Sequence, residues 1–487
     1  MARATPGWDA LRGEISGEVI LPDSPAYEWA RKPAIARFHD VKPRGVVPCR
    51  TPTDVSETIS FAARSGLHAA IRSGGHCFAG RSSTEGIVID VSPMSSVSVS
   101  DGVATVGAGA RLCDVYDALD GHGLTIPAGC GPSVGISGLT LGGGLGILGR
   151  KHGLTSDHLL AAQIVLADGR ILWCDEHREE DLFWALRGAG GCNFGVVTSL
   201  VFETVLAPST TAFHLVWPHV HAAAVIGAWQ DWVPAAPDEL AASLLLTASG
   251  DPAEPPVVNL FGAMLGAESD AAGLLDEMVA GAGADPASAS LEYMTFRETK
   301  RYLAELGEAM AGVDDGRLGE GSQDGPTSQG YAFSKSEYFR RPLPAEAIAA
   351  LIENLSRGRA PGESRELDFT PWGGAYNRVR ADATAFAHRD ELFLLQHVAT
   401  VDADVPVTER EGARRWLGRS WASVRPWGSG GVYPNFPDPD LADWASAYHG
   451  TNLDRLVRIK ARYDPDNFFR PRQSLLSLVP ISGPPGT

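Results

Sequence analysis

Positive charge is in short supply: 41 Lys and Arg stand against 59 Asp and Glu in 487 residues, a formal charge of -18. A field of that sign repels a phosphate backbone or an anionic bilayer, so nucleic-acid and membrane-surface partners have no support. No uninterrupted run of about 18 apolar residues, the length of a membrane-spanning helix, occurs. Met1 to Ile15 carries no apolar core of the signal-peptide kind, and a cytoplasmic location is expected. Cysteine is scarce too. Cys49, Cys77, Cys113, Cys130, Cys174 and Cys192 all fall in the first two-fifths of the chain without a C-x-x-C spacing, so neither zinc nor a redox dithiol is expected. Each reads singly as a buried free thiol, with Cys130 set apart below.

What is present is ordinary for a soluble globular protein, 44% apolar and 21% charged, and too long for one compact core, so two domains are expected. From Asp54 to Ser65 the spacing predicts a helix: Asp54 and Glu57 form a capping-box pair, Val55, Ile59 and Ala62 share a face, and Gly66 stands past the end. Strands are expected over Leu67 to Ile71 and Ile87 to Val91. Asp101-Gly102 inside Val97 to Val106 is a two-residue hairpin signal, and Asp168-Gly169 repeats it between Leu160 to Leu166 and Ile171 to Cys174. Helices at Leu112 to Asp120 and Asp181 to Arg187 and a strand at Val196 to Val205 complete this part. Helices and hairpins mix without steady strand-helix alternation, so the fold class is α+β. The composition shifts near Ala207-Pro208. Beyond it, Ala-rich helical patterns at Glu298 to Met310 and Pro344 to Leu355 join strand candidates at Ala242 to Thr247, Val257 to Leu265 and Leu392 to Val398 in a second domain. Gly312 to Gly330 is a polar, Gly-rich stretch that reads as a mobile loop of the lid kind.

Chemistry concentrates in two segments. In Ile71-Arg-Ser-Gly-Gly-His76 an apolar strand enters a tight loop, where Gly74 and Gly75 leave room for close approach, Arg72 and bare N–H groups suit a pyrophosphate, and His76 offers a nucleophilic nitrogen. On these six residues alone a glycine turn with a surface histidine is the alternative. Between Ala128 and Gly149 glycine recurs too often for a packed helix or regular strand, while the interleaved Val134, Ile136, Leu139, Leu141, Leu145 and Ile147 argue against a disordered linker. An ordered loop wrapped around an extended cofactor is left. Gly144-Leu-Gly-Ile-Leu-Gly149 fits the dinucleotide fingerprint, but neither an apolar strand before it nor a helix after it supports a nicotinamide site. Gly131-Pro-Ser133-Val-Gly135 fits the nucleophile elbow, although Pro127, Gly129 and Gly131 crowd out the strand that motif needs, and a serine hydrolase acting through Ser133 stands as the alternative of different chemistry.

Together, Arg72-Ser-Gly-Gly-His76, Pro132-Ser-Val-Gly-Ile-Ser-Gly-Leu-Thr-Leu-Gly-Gly-Gly144, Lys151-His-Gly-Leu-Thr-Ser-Asp157, Leu182-Phe-Trp-Ala-Leu-Arg-Gly-Ala-Gly190, Asn193-Phe-Gly-Val-Val-Thr198 and Tyr463-Asp-Pro-Asp-Asn-Phe-Phe469 resemble the berberine bridge enzyme-like flavoprotein oxidases, of the para-cresol methylhydroxylase and vanillyl-alcohol oxidase superfamily. The resemblance covers essentially the whole chain. It implies an FAD-binding domain built from residues 1–206 and 425–487, with 207–424 as a substrate domain of antiparallel sheet and helices. It implies FAD bonded through His76, with a second bond from Cys130 in doubt because Gly131 stands directly before the proline where relatives carry the cysteine. Ser73, Val134, Gly135, Ser137, Gly138, Gly142 and Gly143 would line the cofactor, Gly195, Val196 and Val197 would meet its adenine end, and Asn435 would lie near the flavin. Tyr433 would be the general base, with Arg378 one candidate for a cation beside it, and Val134 the small residue at an oxygen gate. Trp372, Tyr376 and Arg378 are pocket residues or, equally, core. The implied activity is hydride transfer from a small-molecule alcohol or hemiacetal to flavin N5, with oxygen reduced to hydrogen peroxide. An oxidative cyclase or an amine oxidase is the alternative within the family.

Overall fold

The computed structural model describes residues 7–310, 331–402 and 405–478, so the Gly312 to Gly330 loop lies outside the described residues. Two sheets built by the first two hundred residues share one apolar core. Gly45–Pro48, Ile87–Asp90 and Ala69–Arg72 form a parallel three-stranded sheet in that order, and their near-continuous apolar runs fit strands covered on both faces. The helix Pro52–Arg64 connects two of them and starts a turn earlier than the Asp54–Glu57 pair suggests. Thr51 is the N-cap, its hydroxyl accepting from Asp54 N at 3.1 Å, and Pro52 sits in the first turn, where a missing N–H costs nothing. The second sheet is antiparallel, in the order Val97–Ser100, Val103–Gly107, Val196–Glu203, Leu159–Val165 and Ile171–Asp175. Its first hairpin turns at Asp101 and Gly102, both at positive φ, as the dipeptide predicted.

Residues 209–401 contribute a seven-stranded antiparallel sheet, ordered Ser288–Thr295, Ser209–Pro218, Val257–Leu265, Leu240–Ala248, Glu363–Pro371, Phe393–Val401 and Tyr331–Phe339. Alternate residues divide its faces. Phe213, Leu244, Leu260, Leu367, Phe369, Phe393 and Leu395 pack against the helices Ala222–Trp232, Glu268–Ala282, Ala345–Ser356 and Val407–Val424. The opposite face is polar: Asn259, Glu366, Asp368, Thr370, Gln396, Ser334 and Ser336 share it by register. That face meets the segment Gly431 to Phe436, since Tyr433 N donates to Ser336 Oγ at 3.4 Å and Tyr338 packs edge-on against Tyr433.

The chain then returns to the first core. Leu456, Ile459 and Tyr463 of the helix Leu453–Tyr463 enter it beside Leu182 and Phe194. Lys460, fully buried, is held by Asp464 at 2.6 Å, by Asn193 O at 2.6 Å and by Phe469 O at 2.7 Å. A buried ammonium so completely paired ties this helix to the loop at residues 190–193, which is one wall of the site.

Candidate active site

A cavity of about 380 Å³ opens where the 73–78 loop, the glycine segment, the 188–193 loop and the 433–437 segment converge. Ser73, Gly74, Gly75, His76, Val134, Gly135, Gly138, Gly142, Tyr433 and Asn435 all line it, so most of the cofactor set read from the sequence is brought together. The glycines are there for contact. A Cβ on Gly74 would overlap the Gly135 amide nitrogen, one on Gly135 would overlap Ser73 Oγ, and one on Gly142 would overlap the Asn435 carboxamide. Gly75 sits at φ +77, which a side chain resists. Two backbone loops thus touch without intervening side chains, and they present N–H groups to whatever fills the cavity.

The glycine segment, read as a loop, contains a short helix, Ile136–Leu141, whose Leu141 and Ile136 enter the core. The strap that follows is pinned by two tyrosines. Tyr433 Oη accepts from Gly144 N, Leu145 N and Asn435 Nδ2, each at 3.1 Å. Tyr376 Oη accepts from Gly146 N at 3.2 Å and donates to Gly146 O at 3.1 Å. Behind the strap, Trp372 stacks on Tyr376 with ring centroids 4.2 Å apart, both inside an apolar cluster with Phe386, Leu394 and Tyr433.

Several expected positions lie elsewhere. Trp372 and Tyr376 are the core alternative rather than pocket lining, and Arg378 lies at the surface paired with Asp238, not beside Tyr433. Arg72 is buried, and its guanidinium is spent on the carbonyls of Ser82, Ala30 and Arg31 and on Ser83 Oγ. It staples the loop from behind with four of its five N–H donors engaged, and it does not line the cavity. Ser137 and Gly143 pack just outside the cavity wall, and Gly195, Val196 and Val197 enter the antiparallel sheet, with Gly195 against Val165. Cys130 does not line the cavity; its Sγ is 3.8 Å from Lys300 Nζ, on the helix Phe296–Met310.

Two features went unread in the sequence. Arg81, bonded to Gln473 Oε1 at 3.0 Å, is the one formal charge in the cavity wall among the described residues, in the place assigned to Arg72. Glu366 and Asp368, two apart on the polar sheet face, have no cationic partner among the described residues. Burial lifts both carboxyls, Glu366 to about 7 with help from Asp368, and Asp368 to about 6 against a bond from Thr370. Asp368 Oδ1 is buried without a hydrogen-bond partner. The signal was available in Glu-Leu-Asp-Phe-Thr, 366–370, where polar and apolar residues alternate with period two.

His76 is neutral at working pH: burial, with the Arg111 cation adding to it, brings its imidazole down to about 4, against a backbone hydrogen bond to Ser133. Ser133 Oγ lies 3.0 Å from His76 Nε2. A serine–histidine contact is therefore present, but the charge acting on the histidine is a cation rather than the carboxylate of a hydrolytic triad, and Ser133 sits in an irregular turn instead of at a strand-to-helix elbow.

Gly74, Gly135 and Gly142 let the segments that wall the cavity touch, giving a glycine cradle with one cation next to a polar sheet. Residues 43–175 match the FAD binding domain family and residues 432–475 the berberine and berberine-like family. The chain is 31% identical to the uncharacterized FAD-linked oxidoreductase YgaK of Bacillus subtilis over 474 residues, 95% of this chain and 97% of that protein. Its fold superposes on BBE-like 1 of Physcomitrella patens with a TM-score of 0.84 at 28% identity, covering 96% and 98% of the two chains. On the Acremonium strictum glucooligosaccharide oxidase, whose structure is described as revealing a novel flavinylation, the TM-score is 0.83 at 26% identity, covering 98% and 99%. The chain belongs to the berberine bridge enzyme-like family of FAD-linked oxidoreductases.

Proposed function

We propose that this oxidoreductase is an oxidase that carries its FAD covalently on His76 and oxidises an alcohol or hemiacetal carbon of a small molecule or sugar. The observation that carries the reading is the half-buried imidazole of His76 in the wall of the glycine cradle, its Nε2 3.0 Å from Ser133 Oγ. FAD, when bound, supplies the redox chemistry, accepting the substrate's hydride and passing electrons to oxygen. The protein supplies position and proton transfer. Backbone N–H groups of Ser73–Gly75 and of Gly135, Ser137 and Gly138, with Arg81, would hold the diphosphate, and Tyr433 and Tyr376 fix the strap beside them.

The hydroxyl proton of the substrate needs an acceptor. Tyr433 borders the cavity, but burial pushes its hydroxyl up to about 12 even though three N–H donors favour the phenolate, so it is protonated at neutral pH. Asp368, at about 6 and with an unpartnered oxygen, is ionised there and is the better matched base. It lies on the sheet face that meets the Tyr433 segment, aligned through Gln396 with Ser336. We therefore assign proton acceptance to Asp368 and strap positioning to Tyr433.

Acid precipitation of the purified protein tests the attachment. Yellow colour retained in the pellet, with the adduct mass on the His76 peptide, supports it; flavin wholly released, or an adduct that survives in His76→Ala, overturns it. An amine oxidase or an oxidative cyclase would be recognised instead by loss of an amine or gain of a ring bond in the product.

A further inference from the structure

We propose that Ser133 is the positioning residue that prepares His76 for attachment to FAD, an inference that rests on the covalent reading above. Ser133 is held where it can do this. Its turn is fastened from both sides to the chain that enters the helix Leu112–Asp120: Cys113 N donates to Pro132 O at 3.1 Å, Leu112 N donates to Val134 O at 3.0 Å, and Ile136 N donates to Ala110 O at 2.9 Å. On the other side, the absence of a side chain at Gly74 lets the His76 loop press onto Ser133 O and Gly135 N. The hydroxyl is therefore fixed at 3.0 Å from Nε2, not swinging at a surface.

Attachment replaces a C–H bond of the flavin 8α-methyl group and an N–H bond of imidazole by a C–N bond. The two electrons and two protons released reduce molecular oxygen to hydrogen peroxide, so that FAD, histidine and O2 give the adduct and H2O2. For this, one ring nitrogen must present a lone pair while the other gives up its proton. In the tautomer that directs Nε2–H at Ser133, the lone pair belongs to Nδ1, and the proton that must leave Nε2 is relayed by the Ser133 hydroxyl, which takes it as it gives up its own toward the hydrogen peroxide formed. The low basicity of His76, set by burial and Arg111, keeps the ring from idling as an unreactive imidazolium. The elbow-like Gly131-Pro-Ser133-Val-Gly135 thus places a serine on a histidine, to orient a nucleophile rather than to be one.

The test uses the full-length protein produced under riboflavin limitation and then supplied with FAD in air, for the wild type, Ser133→Ala and Ser133→Thr. Two quantities are followed: total FAD bound, and the fraction retained after acid as a function of time. Ser133→Ala is expected to bind FAD with unchanged stoichiometry but to attach it about ten- to a hundredfold more slowly, the scale of a misoriented reacting group. Ser133→Thr, which keeps the hydroxyl, is expected to attach it within a few-fold of wild type. Attachment by Ser133→Ala at the wild-type rate overturns the assignment, and so does a Thr variant as slow as Ala, which would make the effect one of shape. Loss of FAD binding in both variants also overturns it, by making the residue structural. A wild type that releases all its flavin to acid refutes the covalent reading itself, and is distinguished by failing before any variant is compared.

Discussion

Replacing Tyr433 by Phe separates two roles for one residue. In the wild type, Tyr433 Oη is the hydrogen-bond acceptor for Gly144 N and Leu145 N and also takes a bond from Asn435 Nδ2. The ring is almost fully buried, so the Phe variant keeps the packing and strands two backbone N–H groups away from water. Each unsatisfied buried donor costs about 1–3 kcal/mol, which puts the loss at about 3 kcal/mol, taken toward the low end because the strap can relax. With an unfolding entropy of about 2 cal/mol/K per residue, spread over a unit the size of one domain or of the whole chain, the melting temperature falls by about 3–5 °C. Because the strap closes over the cavity, FAD retention falls with it. Anaerobic rapid mixing then reads the chemical step. If Tyr433 only positions the strap, flavin that remains bound is reduced within about tenfold of the wild-type rate, whereas Asp368→Asn, with a melting temperature at pH 8 no lower than wild type, slows reduction by about 10²–10⁴, the worth of a positioned base. A Tyr433→Phe protein that melts like wild type and loses about 10² or more in reduction rate would refute the strap argument and return the proton to Tyr433.

Glu366→Gln should flatten the pH dependence of stability. The Glu366 carboxyl is raised in the folded state from 4.5 to about 7, so the folded chain holds the extra proton and wild-type stability falls as pH climbs through that window. The variant should gain about 1–3 kcal/mol at pH 8 in denaturant titrations and nothing at pH 4. Lys460→Met leaves Asp464 buried without its cation, held only by the N–H groups of Phe468 and Phe469, and should cost about 3–5 kcal/mol in the same assay while loosening the Asn193 wall, seen as faster flavin loss in a His76→Ala background. Gly74→Ala drives a methyl into the Gly135 amide, so the purified variant should contain little or no FAD by its visible spectrum.

The contrast between Arg72 and Arg81 shows what a sequence can and cannot carry about this site. Turn chemistry and hydrophobic period are local, so the Asp101-Gly102 hairpin, the helix Leu112–Asp120 and the contact glycines could be read directly, and the family motifs carried His76 and its cradle into one cavity. Which of two arginines ten residues or fewer apart faces a ligand is decided by where Ala30, Arg31 and Ser82 put their carbonyls, and Ala30 and Arg31 are more than forty positions away in the chain. The same holds for the tyrosines: Tyr433 and Tyr376 reach the glycine strap across 289 and 230 residues, so their hydroxyls looked free for chemistry when they were in fact the partners of strap amides. Glu366 and Asp368 were hidden for a different reason, because a charged residue on an alternating strand normally faces bulk solvent. What makes this face unusual is the chain's return at Gly431 to Phe436, which lays an aromatic segment along the sheet and lifts the carboxyls out of their ordinary range. Sequence patterns therefore picked out the glycine-rich backbone that walls the cavity. The carboxyls proposed to move protons depend on burial that the strand's own residues do not reveal.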